Sequence, residues 1–433
     1  MNEQMVVEQF KQAVMSNETV ATSRCLNEHP FLVQQINEPW FAFNTPAIVA
    51  AAANGSRETV DVLLAHGADL HAKSSWWAGG FGVLHHEHHE LSRYLIERGA
   101  PVDIHAAAAL GMLDTVKEMV KMNAAAVNQR GPDGQVPLHY ATEPEIIDFL
   151  LAHGADIDKR DIDHGSTPAQ WAIDNTAKCR FLIDRGSTAD IFIAIHIGDP
   201  ELVRSFIRAD PECLQAQVGR GSFTSGESNG GHIYTYKIGA KTRPFYLAAR
   251  CNHPEIVDLI AKHSPSNQRL LLACMQGEPA AVQTLLKQDS NLVQSLSPED
   301  LSLIADATWN NEVQAVRTML EAGFPADSRR DDKDFTALHN AAMRGNGEAV
   351  QLLLAYGASA HLTHGYGGNA LDSCMWGSVH FRDQAGDYSA VAEQLLQAGV
   401  PLPNEASGSE DVKEVLARHG VGIMRGQDSS IDI

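Results

Sequence analysis

The sequence predicts an all-α solenoid of stacked helix-turn-helix units, with short β-hairpin-like fingers between the units and one longer inserted β-hairpin. Three observations predict this fold class. A fixed order of residue types recurs along the chain, each copy ends in a glycine after an apolar segment, and the copies follow one another at a nearly constant spacing. Such a period is the signature of an array in which each unit is stabilised by its neighbours.

The clearest copy is TALHNAAMRGNGEAVQLLLAYGASA, residues 336–360. It contains a helix start, the small pair Ala341 and Ala342, a turn at Gly345, and an apolar second helix that closes at Gly357. Small residues let two helices approach closely, and glycine permits the left-handed conformation that a turn requires. Similar copies begin at Thr45, Pro137, Ser166 and Arg243.

The closing glycines measure the period. They are Gly67, Gly99, Gly154, Gly186, Gly323 and Gly357. The separations 99 − 67 and 186 − 154 are both 32, and 357 − 323 is 34. A period of this length matches a helix-turn-helix repeat.

These copies resemble the ankyrin repeat, whose pattern is TPLHxAA, a glycine, a leucine run and GAD. The resemblance implies a right-handed α-solenoid of about eleven full or degenerate repeats. It also implies protein binding as the general role, although a fold alone does not determine function.

The start of the first helix in each copy has a physical explanation. Proline suits the first helical position, where its missing N–H has no partner to lose, and threonine can cap the helix. We expect the repeat histidines to bond to loop backbone. The residues concerned are Pro46, Pro137 and Pro168, Thr45 and Thr167, and His139 and His339.

The predicted organisation has four parts. Residues 1–218 and 243–423 form N-terminal and C-terminal repeats, 219–242 form an insertion, and 424–433 form a flexible tail. The insertion begins with a Gly/Ser-rich stretch and then alternates His232, Tyr234 and Tyr236 with other side chains. Alternation predicts a β-hairpin, whereas the Gly/Ser-rich start favours a flexible loop, and both interpretations stay open.

Charge restricts the class of partner. The chain has 33 basic and 54 acidic residues and a net charge of −21, with no basic stripe. Nucleic acid and anionic membranes would be repelled. The acidic balance favours a protein partner with a basic patch.

The sequence predicts a soluble, cytoplasmic protein. No apolar run approaches the ~20 residues that span a bilayer, and the N-terminal MNEQMVVEQFKQAV lacks the pattern of a signal peptide. The six cysteines are scattered without CxxC pairs, as expected of small buried side chains in a reducing compartment.

Local motifs do not predict a catalytic residue, a metal site or a cofactor. The histidine-rich LHHEHHE, residues 84–90, would place His85 and His89 on one face of a helix, which suits zinc. It does not meet the HExxH pattern, however, and His85 occupies the histidine position of the repeat. We therefore interpret it as one structural histidine beside a solvated turn.

The predicted binding groove is lined by aromatic and polar side chains at the positions where the repeat copies differ from one another. Such residues are enriched at binding hot spots, although each tryptophan can equally fill space between helices. The candidates are Trp76, Trp77, His86, Tyr140, Trp171, Tyr234, Tyr236, Trp309, Asn340, Trp376 and His380.

Two functions from different classes are consistent with this sequence. The first is a protein-protein interaction module that binds a partner in its groove and fingers. The alternative is an enzyme or small-molecule binder with a pocket under two insertions, residues 219–242 and 377–388, the second of which contains His380. The sequence does not predict an oligomeric state.

Overall fold

The structure is a computed structural model that describes residues 3–224, 230–329, 333–381 and 386–422. The chain divides into two compact units, Met1–Arg243 (unit 1) and Pro244–Ile433 (unit 2). The described residues of both are mainly helical, and their β-structure consists of the isolated bridges Phe41–Thr45, Lys73–Gly82 and Arg329–Thr336. The predicted all-α class is confirmed.

Fourteen α-helices are described in unit 1. They are α1 (Glu3–Met15), α2 (Thr19–Glu28), α3 (Pro30–Gln34), α4 (Ala47–Ala53), α5 (Arg57–Ala65), α6 (His89–Glu97), α7 (Ile104–Ala109), α8 (Leu113–Met122), α9 (Pro137–Tyr140), α10 (Pro144–Ala152), α11 (Pro168–Trp171), α12 (Thr176–Asp184), α13 (Ile191–His196) and α14 (Pro200–Ala209). Short 3-10 turns are Ala42–Asn44, Ala124–Asn128, Pro132–Gly134, Pro211–Gln215 and Gly221–Phe223, and Thr235–Gly239 is a π-helical turn.

Twelve α-helices are described in unit 2. They are α15 (Pro244–Cys251), α16 (Pro254–His263), α17 (Ser266–Met275), α18 (Pro279–Gln288), α19 (Pro298–Leu301), α20 (Leu303–Trp309), α21 (Val313–Ala322), α22 (Ala337–Met343), α23 (Gly347–Ala355), α24 (Ala370–His380), α25 (Tyr388–Gln397) and α26 (Glu410–Arg418). None of the described helices in either unit is long and apolar enough to cross a membrane.

Consecutive helices pack in pairs, as the repeat pattern predicts. In unit 1 the pairs are α1/α2, α4/α5, α7/α8, α9/α10, α11/α12 and α13/α14. In unit 2 they are α15/α16, α17/α18, α20/α21, α22/α23 and α24/α25. First helices also pack on the first helices of the next repeat, as in α7 on α9 and α22 on α24. Burial is therefore shared between neighbouring repeats.

The closing glycines end the second helices for a backbone reason. All six adopt a left-handed conformation, with φ between 85° at Gly357 and 96° at Gly186. A Cβ atom at any of the six would meet nothing within 4 Å, so space does not select glycine there. The positive φ does, because other residues reach it only with strain.

Most helix starts form as predicted. Pro137 and Pro168 lie in the first turn of α9 and α11, and the Thr167 hydroxyl accepts from the Gln170 N–H at 3.3 Å. The histidines bond to loop backbone, His139 Nε2 to Ser166 O at 3.2 Å and His339 Nε2 to Leu362 O at 3.1 Å.

The repeat at Thr45 differs from this prediction. Pro46 is the N-cap residue of α4 rather than its first helical residue, and no side chain caps the helix. Thr45 pairs with Phe41 in a β-bridge, so its backbone is committed to the preceding turn.

The predicted inserted β-hairpin does not form in the described part of residues 219–242. Gly221–Phe223 is a 3-10 turn and Thr235–Gly239 is a π-helical turn. The N–H groups of Tyr236 and Lys237 both bond locally to Ile233 O, at 3.0 and 3.1 Å, which replaces cross-strand pairing. Residues 225–229 lie outside the described residues.

The predicted second insertion, residues 377–388, begins inside a helix. Gly377 to His380 form the last turn of α24, and α25 begins at Tyr388. The connection is therefore shorter than the sequence predicted. Residues 382–385 and the predicted tail, 424–433, lie outside the described residues.

Candidate functional site

Two neighbouring loops of unit 1 bring Asp133, Asp163 and His164 together. Asp133 precedes α9, and the other two residues precede α11. The Asp133 carbonyl accepts from the N–H groups of Ile162 at 2.9 Å and Asp163 at 3.1 Å. Ligand-type atoms of the three side chains all lie within 4.8 Å of one another. We call these three residues the finger cluster.

Glycines allow the loops of unit 1 to pack this closely. A Cβ atom at Gly134 would lie 2.3 Å from the Ile162 side chain. One at Gly79, in the loop that contains Trp76 and Trp77, would lie 2.1 Å from the Gly131 carbonyl oxygen. Contacts this short do not occur in proteins, so a residue with a side chain does not fit at either position. Glycine at both positions therefore lets the three loops pack against one another.

The two carboxylates of the finger cluster are held close together, with Asp163 buried and Asp133 half-buried. Asp163 is 5% exposed, and its Oδ1 accepts from the Gly230 N–H at 3.0 Å. Burial, followed by the charge of Asp163, raises the pKa of Asp133 to about 6. The two negative charges therefore oppose each other at neutral pH.

His164 has a fixed orientation in the finger cluster. Its Nδ1 lies 2.7 Å from the Gly231 carbonyl oxygen, so Nδ1 carries the proton and donates. Its Nε2 lies 3.5 Å from Asp163 Oδ2. The ring lies 5.2 Å from Trp171 and 5.4 Å from Tyr236, measured between centroids.

Two predicted tryptophans border the finger cluster. Trp76 packs edge-on against Phe43 at 4.7 Å. The indole N–H groups of Trp76 and Trp171 are buried without a hydrogen bond of normal geometry. Each nevertheless lies close enough to a carboxylate, Asp133 for Trp76 and Asp161 for Trp171, to favour its ionised form.

Other predicted residues of unit 1 are distributed around these loops. Trp77 is 52% exposed and Tyr236 is 64% exposed, so both face solvent. Tyr140 is half-buried and lies 5.5 Å from the His105 ring. Burial raises the pKa of Tyr140 well above its usual value, so it acts as a neutral phenol.

Two predicted site residues of unit 1 are not where the sequence placed them. His86 was expected on a first helix, but residues 85–88 are not helical and α6 begins at His89. His85 lies 3.1 Å from Asp103, so this segment is held by a side-chain contact instead. Tyr234 was expected in the groove, but it is fully buried and its hydroxyl donates to Asp190 at 2.8 Å.

Unit 2 contains an aromatic pocket of about 610 Å³. We use the name aromatic pocket for the space lined by Phe335, Met343, His364, Tyr366, Gly368, Asp372, Ser373 and Trp376. The rings of Phe335 and His364 stack at 4.3 Å with an angle of 16°. Small-molecule sites typically have this size and this mainly apolar lining.

Loops and first helices of two consecutive repeats position the aromatic pocket. The turn at His364 is closed by bonds from the Tyr366 N–H to His364 Nδ1 at 3.2 Å and from the His364 N–H to Gly368 O at 2.9 Å. Asp372 lies in the first turn of α24 and accepts from the Asn369 N–H at 2.8 Å. Trp376 follows one turn later on α24, and α22 contributes Met343.

The predicted residues of unit 2 separate into surface and interior. Trp376 is 49% exposed and stacks on His380 at 4.3 Å. Trp309 packs edge-on against Phe381 at 5.9 Å, with the Arg344 guanidinium 5.2 Å from its ring. Asn340 is fully buried, and its Nδ2 donates to Ala305 O at 2.9 Å, so it joins α22 to α20 and does not face a groove.

The sequence analysis missed most of the aromatic pocket and the whole finger cluster. Phe335, His364 and Tyr366 lie in loops of unit 2, and Trp376 is the one pocket residue that the sequence predicted as part of a binding groove. Asp133 and Asp163 belong to different copies. Alignment of PDGQVP with DHGSTP, the two loop ends, would have placed Asp133 beside His164.

Buried repeat histidines predict a loss of stability in acid. Burial lowers the pKa of His139 to about 3 and that of His339 to about 4. Because these values lie below the unfolded value of about 6.5, both histidines stabilise the fold above that pH, and the contribution is lost progressively as pH falls from about 6.5 to the folded values. We expect roughly 1–3 kcal/mol per histidine between pH 7 and pH 4.

Urea unfolding of the wild type and of His139→Gln and His339→Gln at several pH values measures this effect. The variants should show a weaker pH dependence than the wild type, because glutamine does not titrate. An equal dependence in all three proteins would contradict the assignment.

Comparisons with known proteins agree with this architecture. The family model described as ankyrin repeats (3 copies) matches residues 104–193 and 270–364, and that described as ankyrin repeat matches residues 43–75. Together these segments include about half of the chain. The chain belongs to the ankyrin repeat family. Ankyrin repeats are generally protein-interaction modules. No curated protein matches the chain.

The solved structures that are similar to this chain include two ankyrin repeat domains. The domain of human ASB11 has 19% identity and a TM-score of 0.26, and the match covers 70% of this chain and 99% of that domain. The domain ABAYE2397 from Acinetobacter baumannii AYE has 20% identity and a TM-score of 0.31, and the match covers 41% of this chain and 98% of that domain.

Proposed function

We propose that this ankyrin repeat protein binds another protein by taking one apolar side chain of its partner into the aromatic pocket. Trp376 carries the proposal: it is large and about half exposed, and it lies at the edge of a concave apolar space. Tryptophan in such a position is a frequent hot spot. The size and the apolar lining of the pocket favour a bulky aliphatic or aromatic side chain of the partner, which we call the anchor.

The electrostatics of the pocket support an uncharged anchor. Burial lowers the pKa of His364 and that of His339, so both histidines are neutral at pH 7. The Lys333 ammonium lies 5.3 Å from the Tyr366 ring at the edge of the pocket. A cation inside the pocket would meet both this ammonium and the Asp372 carboxylate, whereas an apolar side chain matches the mainly apolar lining.

The negative charge of this chain supports a partner that has basic residues next to the anchor. Its net charge is −21, and Asp372 adds a carboxylate to the pocket wall. Opposite charges raise the association rate more than they raise the affinity. We therefore propose a partner segment with one bulky apolar residue flanked by lysine or arginine.

Other surface residues complete this proposal. Exposed Trp77 and Tyr236 are proposed contacts in unit 1. The six cysteines, all in described segments, are thiols rather than halves of disulfides, which supports the proposal that the chain works in a reducing, cytoplasmic compartment. The alternative, an enzyme or small-molecule binder with a pocket under the two insertions, has no support in the described residues. His380 belongs to α24 and not to an inserted loop, and the residues that line the aromatic pocket belong to neither insertion.

Peptide display on the immobilised full chain tests the proposed function. Selected peptides should share a bulky apolar residue with neighbouring basic residues. Trp376→Ala should weaken their binding by about 10- to 30-fold, as loss of a hot spot does. Tyr356→Ala is the matched control, because Tyr356 is 46% exposed and does not line the pocket.

Two results with the selected peptides would contradict the proposal. Equal binding to the wild type and Trp376→Ala would place the peptide elsewhere. A consensus without an apolar anchor would contradict the chemistry assigned to the partner.

A further inference from the structure

We propose that the finger cluster of unit 1 binds one divalent transition-metal cation through a carboxylate oxygen of Asp133, Asp163 Oδ2 and His164 Nε2. The three side chains come from two loops that contact each other through their backbone. The site lies in unit 1 and the aromatic pocket in unit 2, so this proposal does not depend on the proposed function.

Distances in the finger cluster suit a single ion. The candidate ligand atoms lie within 4.8 Å of one another, and His164 Nε2 is 3.5 Å from Asp163 Oδ2. Ligands that are each about 2.1 Å from one ion are separated by roughly 3–4 Å. Rotation of the carboxylates covers the remaining difference.

The orientation of His164 is the strongest sign of a ligand. The residue is 9% exposed, its Nδ1–H donates to the Gly231 carbonyl, and its Nε2 lies 3.5 Å from Asp163 Oδ2. Metal-binding histidines almost always donate their other N–H to a carbonyl or carboxylate in this way. Nε2 is thus the ring nitrogen that faces the acidic side chains and could bind a metal ion with them.

The carboxylates also have unused oxygen atoms. Asp163 Oδ1 accepts from the Gly230 N–H at 3.0 Å, which leaves Oδ2 toward His164. Asp133 lies near the buried indole N–H of Trp76, and its carboxylate is within 4.8 Å of the ligand-type atoms of Asp163 and His164. A cation between the two carboxylates would offset their repulsion.

Conformation alone does not explain Asp133. Its φ is 55°, a region that favours Asn, Asp and Gly, so an aspartate can be there for backbone reasons. Asparagine would satisfy the same backbone without a charge. Asp133→Asn therefore separates the two explanations.

The ligand set selects the class of metal. One imidazole with two carboxylates favours first-row transition metals such as Zn²⁺ over Mg²⁺ and Ca²⁺, which prefer oxygen ligands. Three protein ligands leave at least one position for water. Binding would join the two loops and orient His164 against Gly231.

Calorimetric titration of the metal-free full chain with Zn²⁺ tests the site. We expect about one tight site per chain, at least tenfold weaker in Asp133→Asn and in Asp163→Asn. Both substitutions keep an amide oxygen that can accept hydrogen bonds. Asp114→Asn is the charge-matched control, because the Asp114 side chain is 95% exposed on α8, and its titration should match the wild type.

A spectroscopic measurement on the wild type tests the metal site without relying on any variant. In the 5-fluorotryptophan-labelled wild type, paramagnetic Co²⁺ should broaden the ¹⁹F signals of Trp76 and Trp171 first, and Zn²⁺ should reverse this. Undiminished Zn²⁺ binding in both variants, absence of tight binding to the wild type, or equal broadening of all tryptophans would overturn the proposal.

Discussion

Replacing Asp190 by alanine is expected to lower the free energy of unfolding by about 4 kcal/mol. Asp190 Oδ2 accepts from the Tyr234 hydroxyl at 2.8 Å and from Gln170 Nε2 at 3.0 Å, and Oδ1 accepts from the Ile193 N–H at 2.9 Å. Tyr234 is fully buried and Gln170 is 6% exposed. Alanine would leave both side-chain donors without a partner and would remove the N-cap of α13. Urea denaturation followed by circular dichroism measures the loss.

Tyr234→Phe is the matched control for Asp190→Ala. It removes one hydroxyl and leaves Asp190 with two donors, so we expect a loss of about 1 kcal/mol. A cost for Asp190→Ala no larger than this value would contradict the structural role assigned to the carboxylate. Unchanged stability of Tyr234→Phe together with weakened partner binding would return Tyr234 to the list of surface contacts.

Gly377→Ala is expected to destabilise unit 2 by about 3 kcal/mol, against the usual trend. In a helix interior, alanine is normally more favourable than glycine by roughly 1 kcal/mol. Here a Cβ atom would lie 2.0 Å from the Met343 carbonyl oxygen, so α22 and α24 would have to move apart. Because Met343 and Trp376 line the aromatic pocket, peptide binding should weaken as well. Thermal unfolding and peptide titration measure the two effects.

Gly347→Ala is the matched control for Gly377→Ala. Gly347 lies in the first turn of α23, and its Cβ atom would meet only the flexible end of Gln394, at 3.3 Å. We expect a change within about 0.5 kcal/mol. If both variants lost equal stability, the close contact between α22 and α24 would not be the cause.

The repeat period predicted the helices well because a local backbone requirement produces it. Glycines such as Gly67 and Gly357 adopt positive φ regardless of the other residues of the repeat. The closing glycine is therefore present even in copies whose other positions differ from the repeat pattern. Pro137 and Pro168 mark helix starts for a similarly local reason. Thr45 is an exception, since a bridge to Phe41 competes for its backbone.

The candidate sites were harder to predict because they depend on distant contacts. Alternation around Tyr234 indicated a strand, but a hydrogen bond to Asp190, in the preceding repeat, draws the side chain inside. His86 shares the sequence position of Tyr140, yet the first helix of its repeat does not form. The finger cluster combines residues from two loops in different repeats. Their proximity can be predicted only after the sequences of the two repeats are aligned with each other.

The central claim, that a partner side chain enters the aromatic pocket, is tested most directly by ¹⁹F NMR of the full chain labelled with 5-fluorotryptophan. The chain has six tryptophans, and Trp376→Phe assigns the signal from the pocket. When a selected peptide is added, we predict a large shift of the Trp376 signal and little change at Trp40, in the first repeats. A bound peptide that leaves the Trp376 signal in place would contradict the account.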